Sequence, residues 1–217
     1  MDDFNETSQE RLKVNPFLSI WLHPKQTTRY MIEEKSIGFA ILLLSIGYIG
    51  VTLSEVIDET FMINWSPWLI LLFCAILSPI GGIISTAFVA LIAWLVGKLF
   101  KGTGTYLNLF KGLSLTAIPA MVLIPFYLVW LFTSPESLMD PDFAGSYPWI
   151  IWPAILLSLV VAIWNAVITV GIVAEAHQIN NWMAFFTLFI PSIIFIILLI
   201  ILMIVLFLIV GVFAGTM

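Results

Sequence analysis

Charge is scarce in this chain. Of 217 residues, 10% are Asp, Glu, Lys or Arg and 61% are hydrophobic, where a soluble domain carries roughly a quarter charged and about half apolar residues. With a mean hydropathy of +1.11, this shortage excludes both a soluble globular domain and a disordered chain. Basic residues are the scarcer sign, eight against 13 acids for a net charge of −5, and they are too dispersed for a nucleic-acid surface. One cysteine, Cys74, excludes an internal disulfide; inside an apolar run it reads as a small buried hydrophobe. The two histidines, His23 and His177, stand apart from each other and from Cys74, so no metal-binding cluster and no cofactor are expected. There is no Gly-x-Ser-x-Gly elbow and no phosphate-binding glycine loop. Lys101-Gly102-Thr103-Gly104-Thr105 lacks the spacing and the preceding strand of such a loop, and reads as a flexible connection. Acid, base and nucleophile converge nowhere, so the chain is expected not to be an enzyme. Met1 to Glu10 carries four acids with no cleavable apolar stretch after them, which is not the pattern of a signal peptide.

What the chain has is long apolar runs. A helix crosses a hydrocarbon core of about 30 Å with roughly 20 apolar residues. Five runs approach or exceed this: 36–53, 68–97, 113–132, 149–173 and 184–212. They are continuously apolar, without the in–out alternation of a barrel. The fold class is therefore all-α, a polytopic membrane protein with five transmembrane helices (36–217) behind a short interfacial N-terminal segment (1–35). The second and fifth runs are long enough, at about 45 Å each, to tilt, bend or project. Ser78-Pro79-Ile80-Gly81-Gly82 offers the second a bending point: Pro79 removes a backbone hydrogen bond, and Gly81 and Gly82 permit close helix contact. A packing kink is favoured over a transporter-like broken helix, because no matching break recurs. Pro119 and Pro125 in the third run read the same way.

The basic residues set the orientation. Arg11, Lys13, Lys25, Arg29 and Lys35 precede the first span, and Lys98, Lys101 and Lys111 lie between the second and third. The loops 54–67 and 133–148 have none and carry three acids each. An N-terminus in the cytoplasm and a C-terminus outside, in the plasma membrane, are expected. The connection 174–183 is placed in the cytoplasm by parity alone. Trp65, Trp68, Trp94, Trp130, Trp149, Trp152 and Trp182 fall near span ends, where indole rings favour the headgroup level; Trp164, deep in the fourth run, reads as a packing residue.

Asn15 to Pro24 is apolar but too short to span. It reads as an interfacial anchor burying Phe17, Leu18, Trp21 and Leu22 in lipid, with a docking face for a partner as the alternative. Thr27 and Thr28 then precede a short helix, 29–35.

Few residues are candidates for chemistry. Glu175 and His177 stand at the end of the fourth span. Two residues apart, they lie about 200° apart around a helix, so a helix-end cap or loop-ordering role is favoured over a proton relay. Asn165 and Thr169 share a face in mid-span and read as hydrogen-bonding glue between helices, worth about 1 kcal/mol each, before pore lining.

Asn15-Pro16-Phe17-Leu18-Ser19-Ile20-Trp21 with Pro24, the loop Gly102-Thr103-Gly104-Thr105 feeding a span with Pro119, and Ala174-Glu175-Ala176-His177 before the last span together resemble the Yip family of Ypt/Rab-interacting membrane proteins, its bacterial branch in particular. The Asp-Leu-x-Gly-Pro-Leu stretch and long cytoplasmic arm of eukaryotic members are missing; Leu77-Ser78-Pro79-Ile80-Gly81 is an echo of the first. Rab binding is therefore not carried over. The resemblance implies a non-enzymatic integral membrane protein. A scaffold organising membrane-protein partners, copies of itself or lipids is expected, with a transporter or lipid-movement facilitator using Pro79, Gly81, Gly82, Asn165 and Glu175 as the alternative.

Overall fold

The computed structural model describes residues 14–215, with side chains to residue 207. The acidic opening, Arg11 and Lys13 lie outside the described residues. Those residues form helices and turns and contain no strand. In chain order the helices are α1 (Pro16–Ser19), α2 (Pro24–Glu34), α3 (Ile37–Ser54), α4 (Pro67–Leu99), α5 (Tyr106–Leu113), α6 (Ala117–Met121), α7 (Ile124–Thr133), α8 (Pro135–Met139), α9 (Ile151–His177) and α10 (Asn181–Gly215). Four of them, α3, α4, α9 and α10, are long and apolar enough to cross a membrane; α5 to α7 make a fifth span if the bent chain is taken as one.

Side-chain caps start these helices where the sequence supplies them. Ser36, Ser66, Thr105 and Asn180 each accept a backbone N–H from the first turn of α3, α4, α5 and α10, the usual work of such residues at an N-cap. Pro67 and Pro24 occupy first helical positions, where a missing N–H costs nothing. Hence α2 begins at Pro24, not at Arg29 as expected. Thr27 and Thr28 lie inside it, buried, with their hydroxyls donated to the carbonyls of His23 and Pro24.

The third span differs most from expectation. It starts at Tyr106, not Leu113, because the polar Asn108 and Lys111 lower the hydropathy of what is nonetheless helix. Lys111 is accommodated by donating its ammonium to the carbonyl of Ile32 at the end of α2. The span then bends by 45° between α6 and α7. Pro125 has no N–H for the carbonyl of Met121, and its ring crowds that carbonyl. Around the break, Val122 and Leu123 donate three residues back, to Pro119 and Ala120.

Helix α4 runs unbroken through Pro79. Its buried side is a row one turn apart: Ile70, Cys74, Ser78, Gly82, Thr86 and Ala90. Ser78 Oγ donates to the carbonyl of Ser45 on α3 at 2.9 Å. A side chain at Gly82 would overlap the ring of Tyr48, whereas Gly81 faces open space, so only Gly82 makes the close contact expected of both. On the other side of α3, Gly47 and Gly50 lie against the backbone of Ala117 and Ala120 in α6.

The buried apolar residues fall into two separate cores. One joins Leu43, Ala93, Leu109, Phe110, Ile172 and their neighbours at the end of the bundle that bears Lys98, Lys101 and Lys111. The other joins Leu53, Ile70, Cys74, Tyr127, Trp130 and Leu138 at the acidic end. The N-terminal segment belongs to the first: Ile20 and Met31 are fully buried in it, while Leu18 and Leu22 are exposed. Two tryptophans depart from expectation. Trp130 is buried and donates Nε1 to Ser137 Oγ at 3.0 Å, pinning α8 to α7. Trp164 is not a core residue but is more than a third exposed on the bundle surface. The acidic loops are joined by the N–H of Asp58 donating to the carbonyl of Leu138.

Candidate functional site

One group of polar residues lies at the basic end of the bundle, around the last turn of α9. That helix reaches His177, and Gln178 ends it in a left-handed conformation, φ 56°. The N–H groups of Gln178 and Ile179 satisfy the carbonyls of Glu175 and Ala174, a helix-ending pattern common where the chain turns sharply. The connection to α10 thus shrinks to residues 178–180, shorter than the expected 174–183.

His177 is fully buried. Its Nε2 lies 3.0 Å from the carbonyl of Ala93 on α4. A carbonyl only accepts, so Nε2 carries the proton and Nδ1 presents a lone pair, which has no partner among the described residues. Three glycines form the walls of the ring's pocket: a Cβ at Gly97 would overlap Nε2, a Cβ at Gly102 would overlap Nδ1, and one at Gly104 would stand 3.0 Å from Nδ1 and overlap the carbonyl of Ala176. Lys101, at φ 61°, turns the chain out of α4 into this loop. Thr103 closes it, donating both its N–H (3.0 Å) and its hydroxyl (3.3 Å) to the carbonyl of His177. The segment expected to be a flexible connection is therefore wrapped on the end of α9. Thr105 then opens α5.

Glu175 points elsewhere, as the helical angle requires. Its Oε1 accepts from Arg29 of α2 at 2.7 and 2.8 Å. Its side chain is 10% exposed and that of Arg29 62%. Below this pair α2 lies close on α9, with Pro24 in contact distance of Gly171, and Gly112 of α5 admits Thr28 and Ile172. Three elements, α2, the 97–105 loop and α5, are so fastened to the end of α9.

The other candidates lie away from this end. Pro79, Gly81 and Gly82 are in mid-α4, and Pro119 is buried in α6. Thr169 donates its hydroxyl to the carbonyl of Asn165 one turn back at 2.6 Å, within its own helix rather than across helices as expected. The side-chain oxygen of Asn165 is buried without a partner among the described residues. Sequence reading missed Ala93 and Gly97, and gave Arg29 and Thr103 no contact with the end of the fourth span. The signal for the loop was present as Gly102-Thr103-Gly104-Thr105; what it encloses was not. No group of three or more His, Cys, Asp or Glu suited to a metal occurs among the described residues.

The fold and this closed basic end define an all-α polytopic membrane protein. The Yip1 domain family model matches residues 18–213, and the chain belongs to that family. No curated protein and no solved structure matches it.

Proposed function

We propose that the chain is a membrane scaffold with no turnover of its own, set in the plasma membrane with its basic end in the cytoplasm, whose last helix receives another membrane protein. The observation that carries this is α10. Every residue from Ser192 to Phe207 is exposed, while α10 touches the rest of the bundle through Ala184, Thr187 and the turns around them. The other spans are anchored along their length in one core or the other. A helix held only at its root presents a full apolar surface for packing against a partner helix. Glu175 is ion-paired and His177 is sealed against backbone, an arrangement that suits a fixed platform and not a proton path. The transport alternative draws on one feature, the unpartnered oxygen of Asn165 in mid-span.

The test is site-specific photo-crosslinking in native membranes. A photoreactive residue at Ile194, Ile197 or Ile201, on the face of α10 turned from the bundle, should give one discrete protein adduct common to all three. The same probe at Leu159, exposed on α9, should give none. Equal labelling at all four positions sinks the scaffold reading.

A further inference from the structure

Two cavities meet on α9. The deeper, about 640 Å³, lies between α4, α9 and α10, with Val89, Ile92, Ala166, Val170, Phe189 and Phe195 among its walls. The second, about 580 Å³, opens at the basic end, where Leu22 and Pro24 stand among His23, Lys25, Gln26 and Asn181. Val167 and Val170 line both, so the two adjoin along α9 and together make a path, apolar in its depth and with a few polar side chains among the apolar ones at its mouth. From Asn181 to Phe195 is about 21 Å of helix, against about 15 Å for one leaflet of a 30 Å core. The path therefore runs from headgroup level through a whole leaflet.

The geometry points to a bound phospholipid with an anionic headgroup, its phosphate at the mouth and an acyl chain in the groove. The depth offers no hydrogen bonds. Its two hydroxyls, Thr169 and Ser192, are donated to the carbonyls of Asn165 and Leu188 of their own helices, so an occupant must be satisfied by apolar contact alone, as hydrocarbon is. The mouth offers positive charge. Lys25 is exposed and makes no ion pair among the described residues, and the nearby carboxylate of Glu175 is neutralised by Arg29. His23, exposed and without a side-chain cap bond, is among the residues that line the mouth. A protein helix would match the groove but not the cationic mouth. The site stands whether or not α10 has a protein partner, since it uses the face of α10 turned toward α4 and α9.

The full-length chain, purified in detergent, is mixed with dioleoyl phosphatidylglycerol or dioleoyl phosphatidylcholine at equal concentration, and retained lipid is counted by native mass spectrometry. One Lys near a membrane surface changes anionic-lipid affinity about fivefold. Phosphatidylglycerol should therefore be retained about fivefold more, and Lys25→Gln should remove that preference while leaving phosphatidylcholine retention unchanged. Ala166→Trp, which fills the groove, should lower retention of both lipids. Lys25→Gln is a surface change, so it remains informative if Ala166→Trp fails to fold. Equal retention of the two lipids by the native chain, or an unchanged preference in Lys25→Gln, overturns the proposal. So does displacement of the lipid by soluble glycerol phosphate, which would mark a site for the anion alone.

Discussion

An imidazole closed in by three glycines makes a sharp prediction about single methyl groups. Gly102 does not have a positive φ, so alanine there is penalised by contact with the His177 ring and with the carbonyl of Gly97, 2.9 Å from the added carbon, and not by backbone strain. Overpacking of this kind costs about 1–3 kcal/mol. His177→Ala leaves a cavity and removes the bond to Ala93, about 2–4 kcal/mol. In the double variant the methyl of residue 102 enters space the ring vacated. The two losses should then fall short of their sum by about 1 kcal/mol, the contact with Gly97 limiting the recovery. Apparent Tm of the four proteins in detergent, followed by tryptophan fluorescence, checks this. Additive losses would mean that ring and glycine do not share the space. The sequence displayed both halves of this arrangement as short motifs. It did not display their meeting, because the contact joins residues about 75 positions apart and depends on where α4 and α9 end. Asn165 illustrates the converse: its spacing to Thr169 was legible, but which acceptor the hydroxyl takes is decided by the nearest backbone.

At the scale of elements, the ion pair fastening α2 to α9 is asymmetric. Arg29 stands mostly in solvent and Glu175 mostly out of it. Removing the guanidinium strands a largely buried carboxylate, which is the costly way to break such a pair. Glu175→Gln leaves an arginine that stands mostly in solvent and still finds an amide oxygen, so no buried charge is left unpaired. Arg29→Ala should therefore lower the apparent Tm more than Glu175→Gln, and adding Glu175→Gln to Arg29→Ala should restore part of the loss. If Glu175→Gln is the worse single change, the carboxylate has a role beyond this contact. The spans themselves were legible, since hydropathy decides them. Their ends were not: Pro24 as a first helical residue, Lys111 held by a carbonyl of α2, and helix α9 continuing through Glu175 and His177 all place polar or helix-breaking residues where tertiary contacts absorb them.

For the whole molecule, orientation follows from charge, and all eight basic residues lie before the first span or between the second and third. Reporter fusions after Asp58, Asp142 and Met217 should report the outside, and those after Lys101 and Asn180 the inside. An inside signal at Met217 would mean that α5 to α7 do not cross the membrane as one span. Replacing Ile193, Ile194, Ile196, Ile197, Ile200 and Ile201 by leucine should lower the apparent Tm by no more than a few degrees, because none of them is buried and each exposed substitution usually stays within about 0.5 kcal/mol. With the photoreactive residue kept at Ile197 and the neighbouring isoleucines replaced, the discrete crosslink expected at α10 should be lost. A large fall in Tm would show that the distal half of α10 supports the fold.

The separation of the apolar interior into two cores has a genetic consequence. Between them, Gly47, Gly50, Ser78 and Ala120 bring backbones together with little side chain across the gap, the ring of Tyr48 on Gly82 being the exception. Strain passes through interlocked side chains, and energetic effects at sites without shared partners add independently. Selection for second-site revertants of Gly102→Ala should therefore return changes among residues such as Leu109, Ala93 or Ile172, and those of a damaged Trp130 changes around Leu138 or Ile150. Compensation should rarely cross the middle of the bundle, so that the two sets of core residues vary independently although they alternate along the chain.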